Sequence, residues 1–130
     1  MEKVIRVGLI GFGVGGQTFH APILTTIKGL ELVKIRATKP EQINVAKAKY
    51  PNAAIVPTSE EIFNDENIDL IVITTPNTSH YSLTMQALQA GKHVVVDKPF
   101  TVSTKEADVL ITVAASKNLV LSVYHDRRFD

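Results

Sequence analysis

The stretch Val4-Ile5-Arg6-Val7-Gly8-Leu9-Ile10-Gly11-Phe12-Gly13-Val14-Gly15-Gly16 decides the fold of this chain. A short apolar run reads as a strand and passes straight into Gly11-x-Gly13-x-x-Gly16, after which a helix-like pattern follows. Each glycine answers a different steric demand. The first permits a tight turn, the second lets backbone approach a pyrophosphate, and the third lets helix pack on strand. The helix that opens there directs unpaired N–H groups and a partial positive charge at a bound anion. Glycine-rich turns are common, so the motif alone says little. A strand before it and a helix after it favour a dinucleotide turn over a plain structural one.

Apolar runs and helical patterns alternate outward from that turn to the end of the chain. Strands are expected at Val4–Ile10, Leu32–Ala37, Ala53–Val56, Leu70–Thr74, His93–Asp97 and Val120–Val123, with helices near 14–28, 40–49, 59–64, 78–90 and 104–117. Leu70-Ile71-Val72-Ile73 and Val94-Val95-Val96 are continuous apolar runs, as strands covered by helices on both faces require. The alternation predicts an α/β fold, a doubly wound parallel sheet of the Rossmann, NAD(P)-binding kind, with ligands at the carboxyl ends of its strands. Ser103-x-x-Glu106 and Thr58-x-x-Glu61 read as capping boxes, and Gly91 as a helix C-terminal stop. Pro22 falls inside the first expected helix, so a kink or break is expected near His20–Pro22.

One hundred and thirty residues, 45% apolar and 21% charged, suit one soluble globular domain. A net charge of +1 offers no basic field for nucleic acid. The absence of cysteine excludes disulfides, thiolate catalysis and cysteine metal sites. A strand starting at Val4 leaves no space for a signal peptide, and no apolar run approaches the roughly 18 residues of a membrane span. A cytoplasmic chain with no metal is the expectation.

The second strand ends in Arg36-Ala37-Thr38-Lys39. An NAD site usually places Asp or Glu there to bond the ribose 2′-hydroxyl. Glu31 lies at the wrong end of the strand, and Glu41 falls beyond Pro40 in the next helix. A hydroxyl followed by a cation suits a 2′-phosphate, which needs donors and positive charge. The plain alternative has Thr38 capping the next helix and Lys39 merely solvated. The missing acid tips the expectation to NADP, with NAD as second choice.

The fourth strand ends in Thr74-Thr75-Pro76-Asn77-Thr78-Ser79-His80, a loop expected across the switch point from the glycine turn and along the nicotinamide half. Asn77 is also a natural N-cap, and His80, in the first turn of that helix, suits a structural or solvated role as well as a functional one. The fifth strand delivers Val96-Asp97-Lys98-Pro99-Phe100 to the same edge. Pro99 restricts Lys98 towards extended geometry. There Lys98 can bond a substrate hydroxyl or take its proton, with Asp97 orienting it, although a lysine at a strand end is commonly just solvated. The terminal Tyr124-His125-Asp126-Arg127-Arg128-Phe129-Asp130 reads as a charged surface or an interdomain hinge, with too few cations for a nucleic-acid patch.

Gly8-Leu9-Ile10-Gly11-Phe12-Gly13, Ala87-Leu88-x-Ala90-Gly91-Lys92-His93-Val94 and Asp97-Lys98-Pro99 together resemble the Gfo/Idh/MocA oxidoreductases, the relatives of glucose–fructose oxidoreductase and inositol dehydrogenase. The resemblance runs over essentially the whole chain. Thr18-Phe19-His20-Ala21-Pro22 and the terminal Tyr124–Asp130 segment resemble the subgroup that contains NADP-dependent scyllo-inositol dehydrogenase. It implies an N-terminal Rossmann domain over 1–122, with 123–130 starting the hinge to a larger α/β domain that this chain lacks. That second domain normally supplies an Asp/His pair completing the catalytic set. By resemblance, Gly11, Phe12, Gly13, Val14 and Gly16 cradle the pyrophosphate, and Thr38 with Lys39 face the 2′-phosphate. Thr74, Thr75, Pro76, Asn77 and His80 line the ribose and nicotinamide. Asp97 and Lys98 match the family's Glu-Lys-Pro motif, whose lysine contacts the reacting hydroxyl. Asp97 replaces the commoner Glu, and Asp126 stands where the subgroup usually has Asn.

The residues and the resemblance together give the NADP-binding half of an oxidoreductase acting on a sugar or polyol, with Lys98 catalytic. No nucleic-acid or membrane partner is expected, and the resemblance allows a homo-oligomer. The rivals are a non-catalytic NAD(P)-sensing module and, at a further remove, a domain for S-adenosylmethionine.

Overall fold

Alternating β and α patterns with apolar strands must bury both sheet faces, and the computed structural model shows how. It describes residues 4–11, 28–74, 80–97 and 104–124. In chain order the elements are β1 (Ile5–Ile10), β2 (Leu30–Arg36), α1 (Pro40–Lys49), β3 (Ala54–Val56), α2 (Glu60–Phe63), β4 (Leu70–Ile73), α3 (His80–Gln89), β5 (His93–Asp97), α4 (Thr104–Ser116) and β6 (Leu121–Tyr124). The six strands pair in the order β3-β2-β1-β4-β5-β6, all parallel. This is the doubly wound dinucleotide-binding order, with its switch point between β1 and β4. The expected helix near 14–28, with its break at Pro22, and the proposed cap Ser103 lie outside the described residues.

Side chains alternate across each strand, so the sheet carries two cores. One face gathers Ile10, Ile71, Ile73, Val94 and Val96 with Ile62, Phe63, Leu88 and Leu110 from the helices. The other joins Val7, Leu9, Leu32, Ile35 and Val72 to Ala46 of α1. Gly8 lies in the middle of β1, where the β1–β2 register shifts between Val7 and Gly8.

The stops of α3 and α4 follow the same physics. Gly91 has φ +82°, its N–H donates to the Leu88 carbonyl, and the Lys92 N–H donates to the Ala87 carbonyl. Asn118, at φ +58°, repeats the pattern after α4, with Leu119 bonded to Ala114. These are left-handed C-terminal caps, so the stop expected at Gly91 holds.

Several expected boundaries shift. The second strand runs Leu30–Arg36 rather than Leu32–Ala37, because Leu30 and Glu31 pair with Ile5 and Arg6. The sixth runs Leu121–Tyr124 rather than Val120–Val123, because the Val120 N–H goes to His93 Nδ1 at 2.9 Å. Its Tyr124 pairs with Asp97. The Thr58-x-x-Glu61 capping box does not form as expected: α2 starts at Glu60 with Ser59 as N-cap, and the Thr58 hydroxyl instead donates to Glu61 Oε2 at 3.2 Å. Nor does Thr38 occupy the cap of α1, since Lys39 holds that position.

At the amino edge, Lys92 is a buried cation, 6% exposed, whose Nζ donates to the carbonyls of Asp65 (2.6 Å) and Ile68 (2.8 Å). Lys34 reaches the same loop from β2, with Nζ 3.0 Å from Asp65 Oδ2. The loop entering β4 is thereby tied down away from the ligand edge.

Candidate functional site

Parallel strands place all their carboxyl ends on one edge, and the candidate residues follow from that. Gly11 leaves β1, Ala37, Thr38 and Lys39 leave β2, Thr74 leaves β4, and Asp97 closes β5. His80 opens α3 next to the same edge and is buried, 1% exposed, which excludes the merely solvated alternative.

At the switch point, the strands β1 and β4 stay coupled beyond their last ladder pair, Ile10 with Ile73. Gly11 has φ +99°, a conformation glycine adopts without the steric cost a side chain brings, and it turns the chain there. The Thr74 N–H donates to the Ile10 carbonyl at 2.9 Å. The Thr74 hydroxyl donates to the Gly11 carbonyl at 2.8 Å and lies 3.3 Å from that of Ile10.

The end of β2 has a different character. Arg36 is its last residue, Ala37 is buried at 4% exposure, and Thr38 and Lys39 are exposed. Lys39 is the N-cap of α1, at φ −86° and ψ 139°, and no side chain caps the helix. Pro40 has no N–H, and the first intrahelical bond runs from the Ile43 N–H to the Lys39 carbonyl at 3.0 Å. The N–H groups of Glu41 and Gln42 are therefore left without intrahelical acceptors beside two exposed donor side chains. Glu31 sits at the amino end of β2, where it faces Arg6 at 3.6 Å. Glu41 lies in the first turn of α1, past Pro40. Residues 36–39 at the end of β2 therefore include no Asp or Glu. Arg36 Nε is buried with no hydrogen-bond partner among the described residues, an orphaned donor of the sort an anion would satisfy. This donor set fits a phosphorylated ribose.

One hollow lies elsewhere. It measures about 330 Å³ and is lined by Leu30, Glu31, Lys49, Tyr50 and Asn52 among others, at the amino edge of the sheet. Burial raises the Tyr50 hydroxyl above its ordinary pKa there. None of the candidate residues lines this hollow. Among the described residues, no group of three or more His, Cys, Asp or Glu could hold a metal ion, and no helix is long and apolar enough to cross a membrane.

Comparison with known proteins decides the affiliation. The profile of the oxidoreductase family with NAD-binding Rossmann fold, Gfo/Idh/MocA, matches residues 5–125. The chain belongs to the Gfo/Idh/MocA oxidoreductase family. It is 49% identical over 130 residues to the uncharacterized oxidoreductase YdgJ of Escherichia coli, covering 100% of the chain and 37% of that protein. It is 42% identical over 126 residues to IolW of Bacillus subtilis, named scyllo-inositol 2-dehydrogenase (NADP(+)), covering 97% of the chain and 34% of that protein. The solved structure of apo scyllo-inositol dehydrogenase from Lactobacillus casei superposes with a TM-score of 0.87 at 27% identity, over 100% of this chain and 39% of that one. The chain thus spans between a third and two-fifths of the length of these relatives.

Within this Gfo/Idh/MocA domain, Gly11, Thr38, Lys39, Thr74, His80 and the backbone of Asp97 lie at the carboxyl edge or beside it. Phe12, Gly13, Val14, Gly16, Thr75, Pro76, Asn77 and Lys98 lie outside the described residues. Two features escaped the sequence reading. The orphaned Arg36 Nε has no sequence signature beyond a cation at a strand end. The bond from Thr74 to Gly11 joins residues 63 positions apart, and the expected strand order brings the two ends together without indicating which side chain bonds which carbonyl.

Proposed function

We propose that this chain is the NADP-binding part of an oxidoreductase that moves hydride between nicotinamide and a carbinol or ketone carbon of a sugar or cyclitol. The observation that carries the NADP assignment is the end of β2. No acid stands there, while Thr38 and Lys39 stand exposed beside a helix N-terminus that no side chain caps. A ribose 2′-hydroxyl calls for a carboxylate, whereas a 2′-phosphate calls for donors and positive charge. Lys39, the Thr38 hydroxyl and the free N–H groups of α1 supply both, with Arg36 adding charge at the same strand end. Glu41 in the first turn subtracts from that charge without reversing it. The IolW relative, named as NADP(+)-dependent, supports the same assignment.

The remaining roles follow the edge. The turn from Gly11 to Gly16 is assigned to the pyrophosphate, and the Thr75–Asn77 segment with His80 to the ribose and nicotinamide half. Lys98, next after β5, holds the substrate hydroxyl and takes its proton as the carbinol is oxidised, with Asp97 beside it as orienting partner. The dinucleotide, when bound, supplies the hydride acceptor or donor. The relatives named as dehydrogenases of scyllo-inositol and of UDP-N-acetylglucosamine support a polyol or sugar as substrate.

The experiment joins this chain to the remainder of the Escherichia coli relative and assays a panel of polyols with NADP+. Lys98→Ala is expected to lower kcat/KM by about a hundredfold or more, within the range of a lost acid–base group. A variant within a few-fold of wild type contradicts the assignment of Lys98.

A further inference from the structure

We propose that Thr74 is a positioning residue for dinucleotide binding, acting through the Gly11 carbonyl rather than by touching the nicotinamide. The proposal rests on reading the carboxyl edge as a dinucleotide site, and three observations carry it. The Thr74 hydroxyl has one proton and two backbone carbonyls within reach, Gly11 O at 2.8 Å and Ile10 O at 3.3 Å, so the proton is committed to the main chain, with the shorter bond to Gly11. The Thr74 N–H is held by the Ile10 carbonyl at 2.9 Å, which fixes the residue on which the hydroxyl rides. Gly11, at φ +99°, is the residue at which β1 leaves the sheet and the glycine-rich sequence begins.

The physical consequence has two parts. A carbonyl at the mouth of an anion site presents the negative end of its dipole to the ligand, and a hydrogen bond from Thr74 turns that end towards β4. Peptide units are planar and trans, with N–H opposite C=O. Holding the Gly11 carbonyl therefore fixes the plane of the peptide leaving Gly11, and with it the direction of the first donor of the turn. Thr74 sits across the switch point from Gly11, so the residue that follows β4 holds the peptide at which the chain leaves β1. The effect acts on the diphosphate shared by all these ligands and is blind to the nicotinamide and to the 2′-phosphate.

The test is calorimetric titration of the 130-residue chain with NADPH and NADH, with ADP read by displacement. Thr74→Val keeps the shape and removes the donor. It is expected to weaken ADP, NADPH and NADH alike, by about five- to tenfold, the range of one neutral hydrogen bond. Thr74→Ser restores the donor and is expected within about twofold of wild type. Thr74→Ala gives the same comparison if Thr74→Val proves poorly folded by circular dichroism. Weakened NADPH with unchanged ADP means a direct contact on the nicotinamide side and overturns the proposal. A lowered Tm with all affinities unchanged means a structural role only and overturns it equally. A wild-type chain that binds none of the three overturns the dinucleotide reading itself, an outcome distinct from either failure of the variants.

Discussion

Gly8 and Ile62 meet where α2 packs on the centre of β1: a Cβ placed on Gly8 would stand 2.5 Å from Ile62 Cγ2 and 3.2 Å from Ile68 Cδ1. No real Cβ tolerates the first distance, and both neighbours are fully or nearly fully buried. Gly8→Ala is therefore expected to destabilise the domain by about 1–3 kcal/mol, the usual cost of overpacking a core. Combining it with Ile62→Ala, which removes the clashing methyl, is expected to cost less than the sum of the single changes. Urea denaturation of the four proteins in that cycle checks this, and strict additivity would mean that Gly8 and Ile62 do not conflict.

Lys92 supports the same face from the amino edge. Its buried ammonium serves two loop carbonyls, at Asp65 and Ile68, where the chain enters β4. Lys92→Met keeps the apolar stem and removes the donor. The expected loss is about 1–3 kcal/mol from acceptors left unsatisfied, with NADPH affinity unchanged because the ligand edge is at the other end of the strands. Thermal melts with and without NADPH separate the two effects.

Asp65 makes that loop pH-sensitive. The hydrogen bond from the Asn67 N–H, then the bond from Lys34, hold its carboxyl below the usual carboxylate range, outweighing the opposing effect of burial. A folded value lower than the unfolded one means that the contribution is complete above the unfolded value of about 4. It is lost as pH falls through that value and the lower folded one. Asp65→Asn is expected to cost stability at pH 7 and to match wild type more closely towards pH 3, as urea midpoints across that range will show.

The cation at the α1 cap bears on cofactor choice. Lys39→Ala is expected to raise the Kd for NADPH by about five- to twentyfold and to leave that for NADH nearly unchanged, since only the former carries the extra phosphate. The difference should shrink in high salt, as befits an exposed charge. Equal losses for both dinucleotides would place Lys39 at the pyrophosphate instead.

The order and kind of the described elements were legible because the pattern repeats without ambiguity. Leu70-Ile71-Val72-Ile73 and Val94-Val95-Val96 have no polar face and belong in a covered sheet, and both lie in its interior strands, β4 and β5. Edges were harder to read where polar side chains pair across strands. Glu31 looked like the approach to β2, yet it lies within the ladder because Arg6 faces it from β1. Val120 looked like strand, yet its N–H serves the His93 ring and leaves its side chain 62% exposed. At the site, the missing acid after β2 could be read directly from Arg36-Ala37-Thr38-Lys39. The bare cap at Lys39 could not, because Thr38 is itself a good capping residue and only the backbone angles show that it stands one place too early. The role of Thr74 depends on a bond between residues 63 positions apart, which no local pattern encodes.

The central claim is that the end of β2 holds a 2′-phosphate, and the most direct measurement is titration of the 130-residue chain with NADPH and with NADH under one buffer and salt. The account predicts that NADPH binds at least about tenfold more tightly, a difference of about 1.4 kcal/mol. NADH binding as tightly or more tightly would contradict it, as would a clear preference for S-adenosylmethionine over both.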